Sequence, residues 1–358
     1  MRHVEIKEIM KSTAPLVDAV MERHLPREPT HEHLNRVFGV PRYAYNKEAI
    51  RKAFTEPVWD MLYRGGKRWR PALFLLLVEA FGGDPKRVND FVMIPEMVHN
   101  GTLIHDDIED SSELRRGQPC THIKYGVDIA VNAGSTMFYW SLLPLVKNTA
   151  SLSPDVRARA YDIYAQEMLN LGYGQAADIA WHRGMANADA ITEDEYLQMC
   201  AYKTGTLARM SARLAALLSG ATDEQIEAVG KFAEAIGVAF QIQDDILNIT
   251  PSGVSEAKGL GEDMTEGKRS LLVIHTLKHA DTKDRERLLE ILGAHTSDQE
   301  LRNEAIGIIR RYGAIEYCRG KARELVEDAW ADVDGVLQPS DAKEKLRAFA
   351  AYLIERDV

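Results

Sequence analysis

Apolar residues recur along this chain at three- and four-residue spacing, and almost nowhere in strict alternation, so the pattern predicts helices from end to end. Residues 4–21 form one amphipathic stretch, followed by a Pro- and His-rich connection over residues 25–42. Residues 46–64 keep Ile50, Phe54, Val58, Met61 and Leu62 on a helical period and stop at Gly65-Gly66, a natural C-terminal signal. Residues 71–81 and 88–104 are nearly continuous apolar runs. Their length and the lack of hairpin turns favour buried helices over buried strands. Helical runs continue over 128–146, 154–181, 192–219 and 226–249, with Ser153 and Thr192 as plausible caps. Residues 271–358 alternate amphipathic helices with polar turns. No tandem repeat interrupts the series. The expectation is an all-α chain forming a single domain over residues 1–358, with residues 1–45 as an N-terminal helical extension.

Polar residues carry the chemistry where they break this pattern. The stretch 99–117 ends an apolar run in a knot of acids and then two arginines. If it is helical, Asp106 and Asp110 lie i,i+4 on one face, with Asp107 three residues before Asp110. Carboxylates so placed repel one another unless a cation sits between them, and they are good oxygen ligands for Mg²⁺. Arg115 and Arg116 suit phosphate. A solvated acidic helix end is the alternative, but the apolar lead-in over 93–104 favours a buried helix. A second knot, Asp244, Asp245 and Asn248, ends the run 226–249 and repeats the spacing with an amide in the last place.

Two basic glycine turns accompany the knots. Residues 65–71, G-G-K-R-W-R-P, set three basic side chains beside a turn whose glycines admit an anion close to the backbone. A capped helix after a basic loop is the plainer reading, and no P-loop pattern is present. The second turn, residues 258–270, is Gly- and Lys-rich. At Lys203-Thr204-Gly205 an Ala- and Leu-rich helix is interrupted, a poor helix choice unless something uses it.

Composition narrows the partners. Lys and Arg number 44 against 54 Asp and Glu, a net charge of −10 that argues against nucleic acid as a general partner. Small anions remain possible through local cationic clusters. The three cysteines fit no metal spacing and read as reduced thiols. No apolar run is long enough for a transmembrane anchor, and the N-terminus has no signal-peptide core. A soluble, cytoplasmic protein is expected. Together, two acid knots with cations beside them and greasy helices leading to them describe a cavity for a diphosphate head and a hydrocarbon tail.

In motif order the chain resembles the trans-isoprenyl diphosphate synthases, or polyprenyl synthetases. The resemblance covers about residues 65–270 through G-K-R-W-R-P, H-x-x-x-L-I-H-D-D-I-E-D, R-R-G-Q-P, G-Q-A-A-D, K-T-G, Q-I-Q-D-D-I-L-N and K-G-L-G-E-D-M-T-E-G-K-R-S. It implies about a dozen helices around a deep central cavity, and a homodimer. It also implies a prenyltransferase that condenses isopentenyl diphosphate with an allylic prenyl diphosphate by ionisation, condensation and elimination. Mg²⁺ is the implied cofactor, three ions per active site with substrate bound. Asp106, Asp107, Asp110 and Asp244 would hold it, and Asp245 would join the catalytic set. Arg115 would clamp the allylic diphosphate with Lys203, Lys258 and Lys268. Lys67, Arg70, His99 and Arg116, with Gly66, would form the isopentenyl diphosphate pocket. Thr204, the Lys203 carbonyl and Gln241 would line the allylic cation.

Three positions depart from the family pattern: Asn248 replaces the last acid of the second motif, Gly134-Ser135 stands where Gly-Asp is frequent, and Ser270 replaces a common Thr. Small residues at Gly101 and Thr102, just before the first motif, imply geranylgeranyl diphosphate or a longer product. On the facing helix any of Met137, Phe138, Tyr139 and Trp140 would serve as a floor. The rival readings are a class I terpene cyclase, opposed by the basic turn and Arg116, and a non-catalytic subunit of a heteromeric synthase, opposed by the five retained aspartates.

Overall fold

The computed structural model describes residues 2–250 and 260–355. Their regular structure is helical apart from one small antiparallel pair, Leu114–Arg115 with Gln118–Pro119. The helical expectation therefore holds, with this hairpin as the one exception among the described residues. Arg116 and Gly117 form its two-residue loop, both at positive φ (53° and 75°), the handedness that matches strand twist in a tight hairpin. No described helix is long and apolar enough to cross a membrane.

The chain forms two compact units. The first comprises Met1–Asp162 with Leu214–Ala221, and the second Ile163–Arg213 with Thr222–Val358. In the first unit the amphipathic N-terminal stretch is the helix Arg2–His24, which buries Ile6, Val17, Val20 and Met21 and packs on Trp69–Ala80. The run 46–64 is helical but changes pitch, with a π turn over Arg51–Thr55 before Glu56–Tyr63. Helix Met93–Glu109 packs along Val127–Trp140. Two glycines set their separation: a Cβ on Gly101 would lie 2.9 Å from the Gly134 carbonyl oxygen, and one on Gly134 would lie 2.7 Å from His105 Nε2. A side chain at Gly101 would push the helices apart, and one at Gly134 would displace His105.

In the second unit the helix Asp223–Ile249 packs along Ala314–Asp334 and against a π turn, Ala201–Gly205. That turn falls where the sequence pattern breaks at Lys203-Thr204. A Cβ on Gly174 would lie 2.3 Å from the Lys203 backbone nitrogen, and one on Gly237 would lie 2.5 Å from the Gly205 Cα. The turn is thus wedged between two helices at backbone contact. Thr192 and Thr222 begin their helices with full capping boxes, reciprocated by Glu195 and Gln225. Nearby, Glu167 is wholly buried and accepts from Arg209 Nε at 2.9 Å, from Arg213 Nη1 at 3.0 Å and from the Thr206 hydroxyl. A buried carboxylate survives only with partners of this kind.

Candidate active site

The basic turn of the first unit divides its labour. Gly65 (φ 79°) and Gly66 (φ 149°) reverse the chain, and Arg68 (φ 48°) starts the helix Trp69–Ala80. The Arg68 side chain turns inward. It is buried against the equally buried Glu96 and donates to the Leu62 carbonyl at 3.0 Å. Arg70 is also buried, its guanidinium 4.4 Å from the centre of the Trp69 ring, whereas Lys67 is exposed on the turn. Arg116, from the hairpin loop, donates to the Gly65 carbonyl. A Cβ on Gly66 would stand 3.1 Å from Arg116 Nη2, so a side chain there would crowd this guanidinium.

His99 lies among these cations. Burial first, and then Arg70, Arg116, Arg115 and Arg68, push its pKa well below the usual histidine value, so the ring is neutral at physiological pH. Burial likewise lowers the Arg116 pKa, against the pull of Glu96 and with the push of Arg68, Arg115 and Arg64. The nearby acid, Glu96, is paired with Arg68. A setting so rich in guanidinium groups favours an anion.

The first acid knot does not present three equivalent carboxylates. The Asp107 side chain is buried, and its Oδ1 accepts from Arg115 Nε at 2.7 Å and from Arg115 Nη2. Its Oδ2 is buried without a hydrogen-bond donor. Burial and then Asp107 push the neighbouring Cys120 thiol up to about 12. Asp106 and Asp110 are partly exposed, with Asp106 Oδ2 4.0 Å from Arg115 Nη2. Helix Met93–Glu109 ends here, the Asp110 N–H bonding the Asp106 carbonyl at 2.8 Å. The Arg64 side chain, buried and paired with Asp60, reaches the Arg115 carbonyl at 3.4 Å and braces the hairpin.

In the second unit Asp244 is partly exposed and Asp245 is buried. Asp245 Oδ2 accepts from the Tyr196 hydroxyl at 2.7 Å, and Oδ1 accepts from Gln241 Nε2 at 2.9 Å. The Thr204 hydroxyl, on the π turn, donates to Gln241 Oε1 at 2.9 Å. The Lys203 ammonium pairs with Asp178, the acid of G-Q-A-A-D. Burial, and next the charge of Asp263, raise the pKa of Asp245 above the carboxylate range, and burial raises that of Asp263 as well. Lys268 lies 3.3 Å from Asp263. Asn248 serves the structure: its amide oxygen accepts from the Asp263 N–H at 3.3 Å, and its carbonyl accepts from the Gly261 N–H at 2.9 Å. Lys258 lies outside the described residues.

The sequence profile of the polyprenyl synthetases matches residues 51–309. The chain belongs to the polyprenyl synthetase family. It is 35% identical over 87% of its length, and 95% of the relative's, to a short chain isoprenyl diphosphate synthase of Methanothermobacter thermautotrophicus. A geranylgeranyl diphosphate synthase of Sulfolobus acidocaldarius is 31% identical over 84% of this chain and 90% of its own. The crystal structure of a geranylgeranyl pyrophosphate synthetase from Pyrococcus horikoshii superposes with a TM-score of 0.85 at 29% identity, covering both chains fully. The polyprenyl synthetase described here is accordingly a prenyltransferase, and its helical fold is the fold of that family.

Within this polyprenyl synthetase, Arg70, His99, Arg115 and Arg116 come together in the first unit, as do Thr204, Gln241 and Asp245 in the second. Sequence patterns counted Arg68 only as one cation of the basic turn, and did not single out Glu96, Asp178, Tyr196 or Asp263. Asp178 and Asp263 stand inside recognised motifs. Tyr196 has no local signal, because it occupies an ordinary apolar position of a helix. Among the described residues no three His, Cys, Asp or Glu side chains form a ready-made metal site. Partly exposed carboxylates on helix ends nevertheless fit Mg²⁺, a hard ion that takes one or two carboxylates and fills its shell with water and phosphate oxygens.

Proposed function

We propose that the protein joins isopentenyl diphosphate to an allylic prenyl diphosphate, lengthening the chain by one isoprene unit and releasing inorganic diphosphate. The observation that carries this reading is the Arg115 guanidinium, held by the buried Asp107 with the partly exposed Asp106 carboxylate 4.0 Å away, a phosphate-binding cation beside an acid fit for Mg²⁺.

In this reading Arg70, Arg116, Lys67 and the neutral His99 take the diphosphate of isopentenyl diphosphate, with the Gly66 backbone close by. Arg115 in the first unit, and Lys203, Lys258 and Lys268 in the second, are each cations suited to an allylic diphosphate. Asp106 and Asp110 offer carboxylates to Mg²⁺, and Asp244 does so in the second unit. Asp107 holds Arg115 in place, and Asp245 holds Gln241. Mg²⁺, three ions with substrate bound, supplies charge neutralisation for the departing diphosphate. The C–O bond of the allylic substrate breaks, its electron pair leaves with the diphosphate, and the isopentenyl double bond attacks the resulting cation. A proton then leaves the new chain for the released diphosphate, so no protein base is required. The Thr204 oxygen, the Lys203 carbonyl and Gln241 meet the cation, and the apolar walls exclude water.

Product length follows from the helix pair of the first unit. Tyr139 points outward and is 75% exposed, Trp140 packs beside His33, Phe38 and Phe54, and Met137 is core. Phe138 is the aromatic that meets Gly101 and His105. A geranylgeranyl or longer product agrees with the named relatives, which include a geranylfarnesyl diphosphate synthase of Aeropyrum pernix. We also propose a cytoplasmic homodimer. Ile123, Val127, Val131 and Tyr139 in the first unit are large apolar side chains left exposed, and a second copy would cover them.

The test is incubation with isopentenyl diphosphate and each allylic starter, with and without Mg²⁺, followed by product analysis. A Mg²⁺-dependent ladder ending at one prenyl diphosphate is expected. Hydrocarbon from an allylic diphosphate alone would mean a cyclase, and no turnover from folded protein would mean that a partner subunit is needed.

A further inference from the structure

We infer that Tyr196 is a positioning residue that fixes the polarity of Thr204 through a fixed chain of hydrogen bonds, Tyr196–Asp245–Gln241–Thr204. The inference deepens the proposed function and rests on it for its catalytic meaning, while the hydrogen-bond chain stands on geometry alone.

Tyr196 is 2% exposed, and its hydroxyl donates to Asp245 Oδ2 at 2.7 Å. A phenol buried this deeply is normally satisfied, and a carboxylate is its strongest available acceptor. Asp245 is thereby fixed at one oxygen. In its carboxylate form Asp245 can only accept at the other oxygen, and there the Gln241 amide presents its NH₂, at 2.9 Å. That leaves Gln241 Oε1 facing Thr204, and the Thr204 hydroxyl has to donate its one proton there, at 2.9 Å. With the proton committed, the Thr204 oxygen has only lone pairs left to present elsewhere. A lone pair suits a developing cation, whereas an O–H dipole turned the other way would oppose it.

The chain is directional, and Tyr196 is its fixed end. Without the phenol hydroxyl, Asp245 Oδ2 loses a partner in a buried place. The carboxylate can then rotate, and the Gln241 amide is free to flip. If it flips, NH₂ faces Thr204 and the hydroxyl proton is released outward. The side chains belong to three segments, helix Glu193–Cys200, the π turn Ala201–Gly205 and helix Asp223–Ile249. Gly237 in backbone contact with Gly205 keeps the last two in register, so the geometry is not set by Tyr196 packing alone.

The experiment compares Tyr196→Phe, Thr204→Val and the double variant with the wild-type chain. Tyr196→Phe keeps the ring and is expected to fold with the same helicity. Its kcat should fall about tenfold to a hundredfold, the range for one hydrogen bond to a charged group, with KM for isopentenyl diphosphate unchanged. In the Thr204→Val background the same change should cost less than about twofold, because the element it orients is gone. An unchanged kcat in Tyr196→Phe, or losses that multiply in the double variant, would overturn the inference. A second readout needs no turnover: the Gln241 side-chain amide protons, followed by ¹⁵N-resolved hydrogen exchange, should exchange faster in Tyr196→Phe than in wild type. Equal exchange would overturn the chain of bonds even if the enzyme is active. If wild type fails to elongate any prenyl diphosphate, the proposed function fails, and the amide exchange still decides whether Tyr196 orients Gln241.

Discussion

Asp107 is closed onto Arg115: one buried carboxylate oxygen accepts from both Nε and Nη2 of the same guanidinium. The middle acid of the first knot therefore acts on an arginine, while its neighbours Asp106 and Asp110 keep partly exposed carboxylates. Asp107→Asn should release Arg115, raise KM for the allylic diphosphate and lower stability by about 1–3 kcal/mol. Asp106→Asn and Asp110→Asn should shift the Mg²⁺ dependence with little change in stability. Urea midpoints and Mg²⁺ titrations of the three variants would separate these outcomes. Equal effects in both assays would mean that the three acids share one role.

Arg68 sits in the same basic turn as Lys67 and Arg70 but serves the fold. Removing it leaves Glu96 buried without its cation, and Glu96 also accepts from Asn100 Nδ2 at 2.7 Å. Arg68→Ala should cost about 3–5 kcal/mol in stability, the cost of orphaning one partner of a buried pair. Lys67→Ala, on the exposed turn, should leave the urea midpoint nearly unchanged and raise KM for isopentenyl diphosphate. A stable Arg68→Ala protein would contradict this division.

Phe138 occupies the space that Gly101 would otherwise open, with ring atoms 2.9 and 3.2 Å from where a Gly101 Cβ would be. Phe138→Ala should lengthen the dominant product by at least one isoprene unit, read by chromatography of the dephosphorylated alcohols. Tyr139→Ala should leave chain length unchanged. An unaltered product from Phe138→Ala would place the floor elsewhere.

His33 gives stability a pH dependence. Its pKa is lowered to about 4, by burial first and then by Arg36 and His24, and Arg36 Nη2 bonds its Nδ1 at 3.0 Å. The unfolded chain binds that proton near the ordinary value of about 6.5 and the folded chain does not. The contribution of His33 is therefore present above about pH 6.5 and is lost as pH falls toward 4. The thermal midpoint should drop on acidification from pH 7 to 5, and His33→Gln should flatten that drop. A parallel pH profile in the variant would remove His33 as the cause.

The sequence alone determined the helical character of this protein, because period and caps are local. Thr192 and Thr222 carry their own capping partners three residues on, and the apolar runs are too long and too unbroken for strands. It also determined the residue types of the chemistry, since carboxylates spaced for one helix face and basic glycine turns are written in short stretches. Tertiary structure decided which member of each motif does what. Asp107 and Asp106 are adjacent in the chain, yet one turns into the core toward Arg115 and the other stays partly open. Lys67, Arg68 and Arg70 look alike in sequence, yet Arg68 spends its charge on Glu96, 28 residues away. Tyr196 reads as core and becomes a hydrogen-bond donor only when folding brings Asp245 to it across 49 residues. Burial and long-range pairing set the charge, orientation and availability of these side chains, and neither is encoded in the local pattern.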